Sequence, residues 1–376
     1  MRKCRGAAAV ATAMLAGLSI VGPWPQPGRA SDLAPPLDLP SGFTAEVFAA
    51  GLGAPRALAV DPAGTLIASI PSQGKVVALA DRGAGRGVQV VTVAEGLQLP
   101  HGLAFRHGDL YVAETGRILR FRYDPKTLAA RDAIVVVAGL PGGAHHWTRG
   151  IAFGPDGALY VSVGSSCDIC READRRRASI VRYEADGSGE RLFGTGLRNP
   201  VGLAVHPRSG TLWTTVNERD WRRGGAPPDY VTEVSQGGSY GWPDCYAERG
   251  RFMGDPELQD RRDCEGLTLP TFEVPAHSAP LGLAFYSGAA FPAPYRESLF
   301  VAMHGSRPEL PPAGYKLVRV VFRGGRPAGI EDFATGWLRH GRVWGRPVDV
   351  VAGRDGALYV SDDHGGRIVR IAFGPR

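Results

Sequence analysis

Short apolar runs separated by turns fill this chain, and they recur in a fixed order. A small strand opens each unit: Ala57–Val60 (ALAV), Gly102–Phe105 (GLAF), Gly150–Phe153 (GIAF), Gly202–Val205 (GLAV), Gly282–Phe285 (GLAF) and Asp349–Ala352 (DVVA). The turn that follows reads DPAG, RHG, GPDG, HPRSG or GRDG, with a longer link in the fifth unit. Asp-Gly and related pairs supply the positive φ that tight hairpins require. A second run follows: TLIASI from Thr65, DLYVAE from Asp109, ALYVSV from Ala158, TLWTTV from Thr211, SLFVAM from Ser298 and ALYVSD from Ala357. After a loop comes a third: KVVAL from Lys75, ILRF from Ile118, SIVRY from Ser179, YVTEV from Tyr230, KLVRV from Lys316 and RIVRI from Arg367. Five units add a fourth: VQVVTVA from Val88, AIVVVAG from Ala133, RLFGTG from Arg191, PTFEV from Pro270 and IEDFATG from Ile330.

The sixth unit stops at its third run, while Phe43–Ala49 (FTAEVFA) stands free at the front and can complete it. Six four-stranded units, the last closed by an N-terminal strand, describe an all-β, six-bladed β-propeller. Closure removes the edge strands that invite aggregation, and two packed sandwiches would not repeat in this way. From Leu58 to Val350 the first strands are spaced by 45, 48, 52, 80 and 67 residues. The excess in the fourth unit marks an insertion at about 237–269, within a single domain over 31–376.

In a propeller the first strands line a central channel. The loops leading into them share one mouth with the loops joining second to third strands. Here the first set carries Arg56, His101, His145-His146-Trp147-Thr148-Arg149, Arg198-Asn199, His277-Ser278 and Trp344-Gly345-Arg346. The other carries Glu114, Ser165-Ser166, Asn217-Glu218-Arg219-Asp220, His304-Gly305-Ser306-Arg307 and Asp362-Asp363-His364. Convergent Arg, His, Asn and Asp above an apolar wall read as a binding site for a polyanionic ligand.

Composition narrows the setting. With 44% hydrophobic and 21% charged residues the chain is globular, and 52 Gly with 30 Pro suits many turns. Residues 1–30 have a basic start, an apolar stretch over 7–21 and small residues at Gly28 and Ala30, the layout of a cleaved signal peptide. Losing Arg2, Lys3, Arg5 and Arg29 lowers the formal charge from +6 to +2, and no basic run remains, so nucleic acid is not an expected partner. No later run approaches the ~20 apolar residues of a membrane span. A periplasmic or secreted protein without stable membrane insertion is expected. Cys167, Cys170, Cys245 and Cys264 remain after the signal. Cys167-Asp-Ile-Cys170 suits a redox pair, half a metal site or a local disulfide; no second CxxC completes a zinc site, and structural bridges 167–170 and 245–264 are expected.

The runs HWTRGIAFGPDGALYVSVG (His146–Gly164), GLRNPVGLA (Gly196–Ala204), NERD (Asn217–Asp220) and GGSYGWP (Gly237–Pro243), in this order, resemble the soluble quinoprotein glucose/sorbosone dehydrogenases. SSCDIC, PPDY, HGS, GYKLVRV and RPVDV bring the chain closest to the sorbosone dehydrogenase-like branch. The resemblance spans nearly the whole mature chain. It implies pyrroloquinoline quinone (PQQ) with a calcium ion at the channel mouth, oxidation of an aldose, sorbosone or related sugar, and electron transfer to a quinone or cytochrome acceptor. It implies His146 as catalytic base, suited to the role as a neutral imidazole near pH 7. Arg198 would steady charge on the quinone oxygen, and Asn199 would bond the cofactor rim. Calcium would be held at Glu218-Arg219-Asp220, largely through carbonyls. Arg346 matches a family arginine; Arg56, His304, Arg307 and Lys316 are further candidates for the carboxylates of PQQ, argued from their position at the mouth.

Three positions depart from the glucose-oxidising members: Ser165 replaces an Asp, Val201 a Gln, and Val348 a second Arg. Two other functions suit the same fold. A calcium-dependent lactone hydrolase would converge Glu218, Asp220 and Asp362 on a central metal, and a binding module would keep the propeller without catalysis. Trp344, near Arg346, is a candidate platform for sugar stacking.

Overall fold

Second strands of the repeat are apolar at nearly every position because both faces are buried, not one. In Leu66–Ile70, Ile67 packs toward Val76 and Leu110 on one side, while Leu66, Ala68 and Ile70 pack toward Tyr359 and Ile368 on the other. Successive side chains of a strand point to opposite faces, so each sheet is sandwiched between two others. The computed structural model describes residues 37–374 except 84–86, 144, 221–225, 259–262 and 308–309.

Six four-stranded antiparallel sheets form the ring. Blade one runs Leu58–Val60, Leu66–Ile70, Lys75–Asp81 and Val88–Ala94; blade two Leu103–Arg106, Asp109–Ala113, Ile118–Asp124 and Ala129–Val137. Blade three is Ile151–Phe153, Leu159–Val163, Ser179–Tyr183 and Arg191–Thr195; blade four Pro200–Val205, Leu212–Val216, Asp229–Val234 and Phe272–Val274. Blade five is Pro280–Phe285, Leu299–Met303, Lys316–Arg323 and Arg326–Ala334. Blade six takes Pro347–Ala352, Leu358–Asp362 and Arg367–Phe373, and Phe43–Ala49 completes it, with Phe43 opposite Phe373 and Val47 opposite Val369.

Six hydrophobic cores sit between successive pairs of blades, among them Phe300 and Val360 between five and six, and Trp213 and Val301 between four and five. Burying one such large side chain is worth roughly 1.5–3 kcal/mol, against about 0–1 kcal/mol for an exposed ion pair. The cores therefore hold the ring. Hydroxyls on second strands add a seam near the axis. Ser162 Oγ accepts from Gly150 N (2.8 Å) and donates to Val201 O (3.1 Å), and Ser361 Oγ accepts from Asp349 N (3.0 Å) and donates to Arg56 O (2.6 Å). Gly150 is required beside this seam, since a Cβ there would collide with the Val201 carbonyl.

A seventh cluster lies on the axis: Val201, Leu281 and Val348, from blades four, five and six. Each follows a proline that opens its first strand, and each of these strands shifts register over the next residues (Pro200/Leu203, Pro280/Leu283, Pro347/Val350). A proline is tolerated at the first residue of a strand, and a bulge re-aims the side chain beside it. Two of the three departures from glucose-oxidising members, Val201 and Val348, thus build an apolar floor across the channel.

The insertion anticipated at 237–269 lies between the third and fourth strands of blade four. Gly238–Ser239 adds a short parallel strand to blade three, and Cys245–Glu248 pairs with Arg251–Gly254. Disulfides join Cys245 to Cys264 and Cys167 to Cys170, the pairing expected. The anticipated signal peptide, residues 1–30, lies outside the described residues. No helix among the described residues is long and apolar enough to cross a membrane.

Candidate active site

Loops of blades three to six converge above the apolar floor on a cavity of about 340 Å³. His146, Arg198, Asn199, Glu218, Asp220, His304, Arg307 and Arg346 line it, so eight of the residues singled out from sequence meet at one mouth. Asn199 and Arg346 stand two positions before Val201 and Val348, which places the floor directly beneath them.

His146 is set by three local devices. Its φ is +44°, a left-handed conformation uncommon for a side chain of this size. The fully buried Arg149 clamps the loop, donating from Nη1 to His146 O (2.8 Å) and Thr148 O (2.7 Å), and from Nη2 to Pro141 O (2.6 Å). Gly164 leaves the space the imidazole needs, since a Cβ there would collide with His146 and with the Asn199 amide.

The tautomer of His146 follows from its partners. Nδ1 lies 2.9 Å from Ser165 O and 3.0 Å from Ser165 Oγ. A carbonyl can only accept, and Ser165 Oγ spends its proton on Cys167 O (2.7 Å). Nδ1 therefore carries the hydrogen, and Nε2 keeps its lone pair. Burial and the nearby Arg198 lower the imidazole pKa to about 3. The ring is neutral across the physiological range and is a proton acceptor at Nε2. A serine in place of an aspartate gives the imidazolium no directly bonded carboxylate, which weakens the base relative to a His–Asp pair.

Arg198 is buried and heavily bonded. It donates from Nε to Asp168 O (3.0 Å), from Nη1 to Asn217 O (3.0 Å) and Glu218 O (2.8 Å), and from Nη2 to Asp168 Oδ1 (2.7 Å). Beside it, Asn199 donates from Nδ2 to Asn217 Oδ1 (3.4 Å), and its own Oδ1 is buried without a partner among the described residues. Arg346 donates to the carbonyls of His304, Gly305 and Ser306 and pairs with no carboxylate among the described residues. Its charge stays available to an anion.

Glu218 and Asp229 bring a buried acidic pair to the same wall. Asp229 accepts from Glu218 N and Ala279 N, both at 2.8 Å. Burial raises both carboxyl pKa values to about 7, with added repulsion from Glu218 at Asp229 and from Asp255 at Glu218. Asp220 accepts from His277 Nδ1 (3.0 Å) and from Arg307.

The remaining sequence candidates lie elsewhere. Arg219 does not line the cavity: its side chain forms a buried pair with Asp255, extended by Glu257 at 2.8 Å. Lys316 pairs with Asp332 (2.6 Å) on blade five and does not line the cavity, because it opens a third strand and that strand's neighbour supplies its partner. Arg56 is one contact removed: it donates to Asp363 Oδ2 (2.7 Å), whose Oδ1 lies 2.9 Å from His304 Nε2. Burial lowers the His304 pKa to about 4, while Arg56 and His304 hold Asp363 far below the usual carboxylate range. Trp344 stacks under Arg367 at 3.8 Å and does not reach the cavity. Asp362 is buried on Arg346 N and Gly365 N, both at 2.8 Å, and on Arg367, apart from Glu218 and Asp220. Of the three acids expected to converge in a lactone hydrolase, Glu218 and Asp220 line the cavity and Asp362 does not.

Residues that sequence reasoning passed over are Asp168 and Asp229, which sit inside SSCDIC and PPDY; Arg149 is placed at the mouth by sequence only as part of the run 145–149, with no role.

A profile of the family described as TrAA12-like matches residues 37–372. A pyrroloquinoline quinone-dependent pyranose dehydrogenase of Coprinopsis cinerea is 27% identical over 89% of this chain, which spans 54% of that relative's length. The holo form of the pyranose dehydrogenase PQQ domain from Coprinopsis cinerea superposes with a TM-score of 0.77 at 24% identity, over 89% of this chain and 97% of that one. A calcium structure of a Trichoderma reesei family AA12 enzyme gives 0.78 at 22% identity, over 91% and 98%. At these identities the structural likeness shows the fold.

Proposed function

The chain belongs to the TrAA12-like family, and from that premise we propose that it is a PQQ-dependent sugar dehydrogenase, acting on an aldose, pyranose or sorbosone-like sugar with calcium as a second cofactor. The carrying observation is one cavity in which His146 presents an unprotonated Nε2 close to the Arg198 guanidinium.

The cavity residues fit the cofactor. Asn199 offers an orphaned buried acceptor, Arg346 a guanidinium bonded only to neutral carbonyls, and Arg198 a remaining N–H on Nη2. Arg346 and Arg307 would hold carboxylates. For calcium, the Glu218, Asp229 and Asp220 carboxylates at the cavity would supply oxygen donors. Two buried carboxyls raised toward neutrality by burial are what a divalent cation would relieve.

When bound, PQQ supplies a two-electron acceptor for hydride. His146 Nε2 takes the hydroxyl proton of the sugar as its carbon gives up hydride, so one C–H and one O–H bond break and a carbonyl forms. Nδ1–H stays on Ser165, which holds the imidazolium in place. Arg198 steadies the negative charge that builds opposite the sugar. The layout of residues 1–30 supports export, and electrons would leave to a quinone or cytochrome.

The test is absorbance titration of the mature protein with PQQ, with and without calcium, followed by dye reduction with aldoses, pyranoses and sorbosone. Saturable uptake and sugar-dependent reduction are expected. Failure of both overturns the reading.

A further inference from the structure

The Cys-Asp-Ile-Cys motif has so far been given no task. The two half-cystines are three positions apart, so their bridge closes a loop of only a few residues and removes little entropy from the unfolded chain. Nor does the motif earn much through its charge, because the Asp168 side chain is 41% exposed and such ion pairs contribute about 0–1 kcal/mol. Global stability therefore does not explain it.

Its contacts do. Arginine has five N–H donors, and four of Arg198's are taken among the described residues. Asp168 receives two of these, one at its carbonyl and one at its carboxylate. The Asp168 carboxylate is fixed by Asp220 N (3.2 Å) and its carbonyl by Trp242 Nε1 (3.4 Å). The next carbonyl back, Cys167 O, receives the Ser165 hydroxyl that orients His146. One short loop thus grips both the guanidinium and the imidazole.

We propose that the Cys167–Cys170 loop is the common mount of the catalytic pair, with Asp168 a positioning residue that aims the remaining Nη2 N–H of Arg198, unpartnered among the described residues, into the cavity. This rests on the dehydrogenase reading for its catalytic consequence, but the contact itself exists without cofactor.

The full mature chain is compared with D168A, D168N, C167S/C170S and the triple variant D168A/C167S/C170S. D168A and C167S/C170S each lower kcat about 10–100-fold, the size of effect expected from ångström-scale misplacement, while sugar KM moves less than about threefold. The triple variant falls no more than about twofold below D168A, because both changes remove one contact. D168N, whose side-chain Oδ1 can still accept from Arg198 Nη2, loses less than D168A.

A second readout uses the cofactor-free protein. The Arg198 Nε–H resonance, assigned by its loss in R198K, exchanges slowly with solvent in the wild type and at least about tenfold faster in D168A and C167S/C170S. Unchanged exchange in both variants overturns the proposal even if the wild type binds no PQQ. Wild-type turnover with D168A and C167S/C170S within about twofold of it overturns the catalytic consequence alone. A wild type that neither binds PQQ nor turns over sugar, yet shows the exchange difference, sinks the dehydrogenase reading and leaves the mount standing.

Discussion

Blades one, two and six join their second and third strands through the short loops 71–74, 114–117 and 363–366, whereas blades three, four and five use the long loops 164–178, 217–228 and 304–315. Most of the cavity residues belong to the long loops or to the segments leading into the first strands beside them. Among the described residues, blades one and two contribute none to the lining. The repeat is a scaffold where it is regular, and it carries chemistry where it is interrupted. Buried charge occurs on both sides: burial raises Glu218 and Asp229 and lowers Arg149 on the interrupted side, and it raises Asp349 of blade six and lowers His101 before blade two on the regular side.

Substitutions on the two sides should separate cleanly. His146→Gln should lower kcat by about 10²–10⁴ while PQQ uptake in the absorbance titration persists, because only the proton acceptor is lost. Arg198→Lys should cost about 10²-fold in kcat, since a single ammonium cannot reproduce the planar fork that meets Asp168, Asn217 and Glu218. A side chain with polar atoms in the floor, Val201→Gln, should lower cofactor-free stability by about 1–3 kcal/mol in denaturant melts, because Leu281 and Val348 offer the amide no partner. Ser69→Ala in blade one should cost about 1–2 kcal/mol by stranding the Ala57 N–H now bonded at 3.0 Å, with kcat unchanged. A kcat loss in Ser69→Ala would break the division between scaffold and site.

The smallest effect is a pH dependence. The His146 pKa is lowered to about 3 in the folded chain, against 6.5 for a free imidazole. Between those values the unfolded chain binds the extra proton, so wild-type stability falls, relative to His146→Gln, as pH drops below 6.5. Because the ring is partly open to the cavity, the difference at pH 5 should be on the order of 1 kcal/mol. Paired melts at pH 7 and pH 5 measure it, and parallel curves would show that the imidazole is not held neutral.

The ring was legible because its signals are local: tight-turn residues, fixed spacing and a free N-terminal strand to match the missing one. The location of the mouth followed from that topology, and His146, Arg198, Asn199 and Arg346 are indeed brought together. What sequence could not resolve was direction. Arg219 and Glu218 are adjacent in NERD, yet one pairs with Asp255 and the other lines the cavity. Lys316 looked like an available cation until the neighbouring strand brought Asp332, opposite Val318, within reach of its ammonium. The bulges after Pro200, Pro280 and Pro347 leave only a repeated Pro–aliphatic pair in the sequence, too short to announce a floor.

The seam of the ring has a consequence for biogenesis. Phe43–Ala49 is among the earliest described segments to be synthesised, and its partner Arg367–Phe373 is among the last. Five blades can assemble as the polypeptide emerges, but the sixth has no outer strand until the two extremities meet. Closure of the circle therefore waits until Arg367–Phe373 has been made, and a ribosome that stalls before position 367 yields a horseshoe with a bare sheet edge, a natural substrate for chaperones and proteases.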